Sequence, residues 1–315
     1  MRRSPETLKF NALRASLAVA ALAFLAGASC KKESKAGDTG AVEAADRAGV
    51  VNIPESEIDK TPLPGIDVSK LDGKQQTLFY KLVQAYPSPC GKAHSLRTSV
   101  TEDKTCKRAP FAARYIISLI SDEAPESELR KVWDAKYKDV PAETKTFALD
   151  GVPHSGPIDA PIQIVEFFDY GCPACKDAKP ILDEVVARNP STVVVFYKQF
   201  PLTDKHPNAM SAAKAALAAH AQGKFKQMHD KLFETQPEHD RAAVMAIAES
   251  LGLDMAKFQA DYDAAEAKVR ADMKEGDAAG VDGTPTLFFE GREYAGPWHP
   301  DYFGYWIAEE LAVNH

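Results

Sequence analysis

The chain carries no basic stripe with interleaved aromatic residues, and its formal net charge is -7, a balance that argues against nucleic acid as a partner. Its N-terminal apolar run, Ala15 to Ser29, falls short of the roughly 20 residues that a membrane-spanning helix needs. Cysteine is scarce, with five in 315 residues. Two of them form a Cys-x-x-Cys, and there is no second such pair to complete a zinc site. What remains is an ordinary soluble composition, 45% hydrophobic and 26% charged, on a chain long enough for one large domain or two modest ones with cores of their own.

Arg2, Arg3, Lys9 and Arg14 stand before or at the start of the apolar run, and residues 1–29 read as an export signal. Its end, Leu25-Ala26-Gly27-Ala28-Ser29-Cys30, resembles a bacterial lipoprotein cleavage box, in which the cysteine becomes the first residue and is acylated. Gly27 stands where such boxes carry a leucine-like residue. The expectation is a lipid anchor at Cys30, against ordinary cleavage that leaves Cys30 out of the fold. With Cys30 set aside, Cys90, Cys106, Cys172 and Cys175 remain, an even number that could form two pairs in an oxidising compartment.

Residues 30–64, rich in Lys, Glu, Asp, Gly, Ala and Pro with no sustained period, read as a flexible tether. Residues 65–140 read as a small all-α module. Leu78, Phe79, Leu82, Val83 and Tyr86 recur at helical spacing, as do Phe111, Tyr115, Ile116 and Leu119, and then Leu129, Val132 and Trp133. Such a module buries little, so Cys90 and Cys106, flanking a polar loop, make sense as a structural disulfide. The alternative is a metal- or haem-handling site of Cys90, His94 and Cys106, whose spacing matches no usual zinc knuckle.

The main domain is expected over 147–315. Ile162 to Phe168 and Val193 to Tyr197 are nearly continuous apolar runs typical of strands buried on both faces. One helix between them makes a β-α-β unit. Leu287 to Phe289, then Glu290-Gly291-Arg292, signals a closing hairpin. Between these strands, about 208–276 is helical in pattern and reads as an inserted helical subdomain. His206, His220 and His229 lie there as lone histidines that solvate or cap rather than ligate, so neither a metal nor another cofactor is called for.

Cys172-Pro173-Ala174-Cys175 follows the first buried strand and begins a helix. Positions i and i+3 share a helix face, so the two sulfurs can close a small disulfide ring. The first sulfur sits where unpaired amides and the helix dipole favour a thiolate. A thiolate so favoured stabilises the reduced pair and makes its disulfide an oxidant. A purely structural disulfide gains little from so short a loop, and half a zinc site has no partner half. Redox chemistry is the better account of the pair.

Phe167-Phe168-Asp169-Tyr170-Gly171-Cys172-Pro173-Ala174-Cys175, Phe200-Pro201-Leu202, Gln222-Gly223-Lys224-Phe225, His229 to Phe233 and Gly283-Thr284-Pro285-Thr286, taken in this order, resemble thiol-disulfide oxidoreductases of the DsbA type, over roughly 147–311. The resemblance implies an α/β thioredoxin fold with an inserted helical subdomain, here preceded by the small all-α module. It implies that Cys172 is the attacking sulfur and Cys175 the buried partner, that Pro285 is a cis proline facing them, and that Thr284 offers its backbone to an extended substrate. Glu166 matches the buried acid that shuttles protons to the deeper sulfur, with Lys198 as a candidate charge partner. Read from the strand alone, Glu166 could equally be a tolerated carboxylate.

The expected function is disulfide formation in exported, cysteine-bearing proteins of the bacterial periplasm or envelope, with a membrane redox partner. Ala174 stands where the strongest oxidants carry histidine, and Thr284 is shared with isomerases and reductases, so a reductase or isomerase kept reduced by a membrane donor stays open. So does a binding protein that recruits a partner through its helical module or through the aromatic-rich Tyr294 to Trp306.

Overall fold

The computed structural model describes residues 51–138 and 144–314. The export signal, Cys30 and the first part of the expected tether lie outside the described residues, all of which fall within one compact unit. The N-terminal part is helical. Helix α1 (Gly73–Ala85) begins with a reciprocal cap in which the Asp72 carboxylate accepts from the Gln75 N–H and the Gln75 amide oxygen accepts from the Asp72 N–H. Helix α2 (Leu96–Thr101) is capped by Ser95, and α3 (Ala109–Ser121) and α4 (Glu126–Tyr137) follow, α4 directly after Pro125. The polar loop expected between Cys90 and Cys106 thus contains a helix, pinned by the fully buried Leu96. Cys90 and Cys106 are joined as a disulfide with Cα atoms 5.8 Å apart, which leaves neither sulfur for a metal.

The tether expected through residue 64 ends earlier. Val51 and Leu63 are buried, Ile53 and Ile58 pack on the same core, and the Val51 N–H donates to Glu126. Scattered apolar side chains with no period of their own found partners on the preformed helices, which a composition argument does not register.

The second part is built on a five-stranded sheet. In chain order come β1 (His154–Ser155), β2 (Ile162–Phe168), α5 (Pro173–Arg188) and β3 (Val193–Gln199). Five helices follow: α6 (Ala209–His220), α7 (Phe225–Glu234), α8 (Arg241–Ser250), α9 (Met255–Ala264) and α10 (Glu266–Ala279). Then come β4 (Thr286–Phe289), β5 (Arg292–Glu293) and α11 (Pro300–Asn314). The strand order is β1-β3-β2-β4-β5, with β2 and β3 parallel and the other pairs antiparallel. This is the α/β thioredoxin fold with the helical insertion between β3 and β4. Every residue of β3 is buried, as is all of β2 except Gln163, which is what parallel strands covered on both faces require. The turn into β5 places Glu290 and Gly291 at φ 46° and 76°, the paired positive values of a tight hairpin.

Strand alternation sorts the core. Ile164, Phe168, Val195 and Tyr197 face the main core with Cys175, Leu182 and Val185 of α5. Val165, Phe167, Val194, Phe196 and Phe288 form a second cluster on the opposite face. Tyr294, Phe303 and Trp306, expected as a possible recruiting surface, are buried instead. Tyr294 stacks on Phe303 at 4.4 Å between ring centroids, and all three pack against Phe289. Helix α11 packs against α5 and β2 and sets Phe303 and Trp306 on Phe289 of β4, a contact that needs an apolar face there.

The same helix joins the two parts. Arg108 reaches Glu309 at 2.6 Å and Glu310 at 2.9 Å, Lys136 reaches Glu309 at 3.1 Å, and Arg292 reaches Glu310 at 2.7 Å. Tyr137 donates its hydroxyl to Glu309 at 2.6 Å. Burial alone would push the Glu309 carboxyl up, but Lys136 and Arg108 outweigh it and hold it below its ordinary value. Burial pushes Lys136 down to about 8 despite Glu309. Removing the Glu309 charge strands Lys136 in the interior and takes one of the two partners of Arg108, so Glu309→Ala is expected to cost about 3–5 kcal/mol, read as a lower midpoint of urea unfolding.

Candidate active site

The unbroken β2 delivers the chain to the sheet's end, where Asp169-Tyr170-Gly171 turns it into α5. Cys172 is the N-cap residue in extended backbone, and Pro173 occupies the first helical turn, where its missing N–H costs nothing. Cys175, one turn in, is fully buried, whereas Cys172 keeps 8% exposure. Both are free thiols. The Cys172 thiol donates to the Thr284 carbonyl at 3.3 Å, and the Asp169 N–H donates to the Cys175 sulfur at 3.4 Å. The Thr284–Pro285 peptide is cis.

The two sulfurs are tuned in opposite directions. A hydrogen bond from Cys175, opposed by burial and aided by the Cys175 and Ala174 backbone N–H groups, brings the Cys172 thiol down to about 5. Burial drives the Cys175 thiol far upward, and its hydrogen bond with Cys172 and the charge of Glu166 push the same way. One sulfur ionises readily and its neighbour resists, the division that an attacking and a resolving thiol need.

Glu166 lies on the face of β2 that carries Phe168, opposite Tyr197 in β3, and is 3% exposed. Burial first, and Asp183 second, raise its carboxyl to about 8. Lys198 does not pair with it. As the residue next to Tyr197 it projects from the other side of the sheet, where it meets Asp272 at 3.1 Å and Glu275 at 2.5 Å.

Two site residues, His206 and Gln236, lie outside the motif segments of the sequence, and they join residues inside them. The buried Asp169 carboxylate accepts from Gly171 N–H at 2.7 Å and Leu202 N–H at 2.9 Å, and lies 2.7 Å from His206 Nδ1. Gln236 donates to the Tyr170 carbonyl at 2.8 Å, and the Tyr170 hydroxyl lies 3.0 Å from His229 Nδ1. His229 is therefore not a solvated helix residue: it is 2% exposed, and burial lowers it to about 3. Asp169, Tyr170, Leu202 and His229 stand within the motif segments, which carry no sign of these contacts. His206 and Gln236 reach the site only through the fold. Beside the sulfurs, Ala174, Ala178, Ile181, Pro285 and Trp298 line a groove of about 220 Å³, with Asp177 at its edge. A larger cavity, about 620 Å³ between α3 and α11, lies away from the thiols.

A family model described as thioredoxin matches residues 149–309, the stretch in which the motifs lie. The Na+/H+ antiporter NhaA 3 of Salinispora tropica is 40% identical over 147 residues, which are 46% of this chain and 22% of that protein. The chain thus spans about a fifth of the length of that curated relative. A thioredoxin-like oxidoreductase from Silicibacter pomeroyi is 28% identical with a TM-score of 0.45, covering 57% of this chain and 95% of that one. Oxidised BdbD from Bacillus subtilis is 22% identical with a TM-score of 0.49, covering 55% and 99%. Among the described residues no helix is long and apolar enough to cross a membrane.

The raised Glu166 carboxyl has a pH signature. Its folded value, about 8, lies above its ordinary 4.5, so in that window the folded state holds more protons than the unfolded one. Stability from this group is present in full below 4.5 and is lost as pH rises towards 8. Relative to Glu166→Gln, reduced wild-type protein is therefore expected to lose stability across that range, a difference in which the opposite contribution of the lowered Cys172 thiol cancels, and Glu166→Gln becomes the more stable of the two at pH 8. Urea midpoints taken at several pH values check this.

Proposed function

The chain belongs to the thioredoxin family, and on that premise we propose that it is a thiol-disulfide oxidoreductase that forms disulfides in exported proteins through Cys172 and Cys175. The observation that carries this reading is the opposite tuning of the two thiols in one helical turn. A low Cys172 value stabilises the reduced pair, and a stable reduced pair is an oxidising couple.

The reaction starts from the Cys172–Cys175 disulfide. A substrate thiolate attacks the Cys172 sulfur, the Cys172–Cys175 bond breaks, and Cys175 leaves as a thiolate. So buried a sulfur cannot stay ionised, and it takes up a proton. In this proposal Glu166, neutral below about 8, gives that proton and recovers it from solvent. The second substrate thiolate then attacks the substrate sulfur of the mixed disulfide and releases Cys172, whose low value makes it a good leaving group. The substrate has lost two electrons and the enzyme holds a dithiol, so an electron acceptor must reoxidise it. A membrane redox partner fills that role in this proposal. The cis peptide before Pro285 and the Thr284 carbonyl beside Cys172 support the part of this proposal in which an extended substrate backbone pairs there.

Export is supported by the Cys90–Cys106 disulfide, a bond that persists in oxidising compartments, and by the signal pattern of residues 1–29 with its acylation box at Cys30. The antiporter relative joins a similar stretch to a transport protein in one chain, which fits work beside a membrane. Ion transport is not part of the proposal.

A second reading, reductase or isomerase, is favoured by Ala174, which supplies no charge between the cysteines. Two measurements separate the possibilities. Wild type is expected to oxidise a reduced substrate protein while Cys172→Ser stays at background; equal rates would end the enzyme assignment. The reduction potential against glutathione is expected to lie well above the value of about -270 mV typical of thioredoxin, and a value near that one would reverse the direction of the proposed reaction.

A further inference from the structure

Cys-Pro-Ala-Cys leaves the space between its sulfurs without a charged side chain, and the groups that favour the Cys172 thiolate are hydrogen bonds from its own turn and with Thr284. Yet a histidine does stand at the site, contributed from a distant part of the chain. His206 lies in the loop between β3 and α6, tied down by its own N–H to the Leu202 carbonyl. Its ring packs on Gly171, the residue before Cys172. A side chain at Gly171 would bring its Cβ to 2.5 Å from His206 Cβ and 2.7 Å from its Cγ, so a glycine is required for the ring to lie there. The ring's Nδ1 is 2.7 Å from the Asp169 carboxylate, whose side chain has no exposed surface, while the His206 side chain keeps 23% exposure.

Asp169 therefore does two things to the dithiol. Through Gly171 and Leu202 it holds the turn before Cys172 against the loop after β3. It also places a buried carboxylate in the turn that leads into Cys172, where its own backbone N–H meets the Cys175 sulfur at 3.4 Å, beside a pair in which one sulfur must become an anion. Like charge opposes that ionisation unless it is compensated.

We propose that His206, held by Asp169, is a positioning residue of the dithiol site whose positive charge compensates Asp169 and favours the Cys172 thiolate. It does from the β3–α6 loop what a histidine within the Cys-x-x-Cys would otherwise do. The other charged groups around the pair are Asp204 and Lys205 on the same loop, Lys176 on the first turn of α5, and Glu238 with His239, whose ring senses both Asp169 and Lys176. Lys176 and Lys205 add positive charge from the surface, where solvent screens it. His206 is the one in direct contact with the buried carboxylate.

This role deepens the oxidoreductase reading, but it is tested without any substrate. Reduced, full-length protein is alkylated with iodoacetamide at about pH 5, where the Cys172 thiol is half ionised. His206→Gln keeps a hydrogen-bond donor for Asp169 and removes the charge; His206→Lys keeps a charge. A one-unit rise of the Cys172 value cuts its thiolate fraction at that pH about fivefold. The expected result is a roughly fivefold slower alkylation of His206→Gln and a rate for His206→Lys within about twofold of wild type. Equal rates for wild type and His206→Gln overturn the proposal. So does a His206→Lys rate as slow as that of His206→Gln, which reduces His206 to a packing element. Failure of substrate oxidation by wild type, with these alkylation rates as expected, would instead count against the oxidoreductase reading alone.

Discussion

Two cysteines three residues apart on one helical turn have nearly the same surroundings in an isolated peptide. Their chemistry depends on being made different, and burial is what does so. Cys172, at the N-cap, keeps an opening to solvent and the unpaired amides of the helix start. Cys175, one turn in, is covered by the sheet, with Asp169 donating to it and Glu166 beneath the same face. The desolvation that raises Cys175 also raises Glu166, so the sulfur that needs a proton and the acid that holds one are produced by the same packing.

That arrangement rests on parts of the chain far from the motif. The turn before Cys172 is held by Asp169, which joins it to the loop after β3, and by Gln236, which joins it to the helical insertion. Tyr170 extends the same connection to His229. The insertion is thus a wall of the site. Thr284 closes the other side at the end of the insertion, where the chain re-enters the sheet through β4.

Helix α11 ties the N-terminal helices to this framework. Glu309 and Glu310 collect Arg108, Lys136 and Arg292 in one interior cluster. Buried ion pairs of this kind add little net stability but are costly to break, so they specify one docking of α11 against α3 and α4. The helical module therefore behaves as part of the same body as the sheet, where its sequence alone suggested a separate unit on a tether.

The strands and the position of the cysteines were legible because local pattern determines them. Continuous apolar runs at β2 and β3 require burial on both faces, the Gly291 turn requires positive φ, and Cys172-Pro173-Ala174-Cys175 at a strand end requires a helix start. Val51 and Leu63 were unreadable because single apolar residues without a period acquire meaning only from the surface that receives them. Lys198 faces Asp272 and not Glu166 because neighbours along a strand project to opposite faces of the sheet. A lone histidine has no chemistry until the fold supplies its partner, as Asp169 does for His206 and Tyr170 for His229. Spacing and periodicity act over a few residues, and they sufficed to put two sulfurs at the head of a helix after a buried strand, while the thioredoxin fold around them was implied by the resemblance. The partners of that pair had to come from the folded chain, since His206 reaches Asp169 and Thr284 reaches Cys172 through contacts between segments 37 and 112 residues apart.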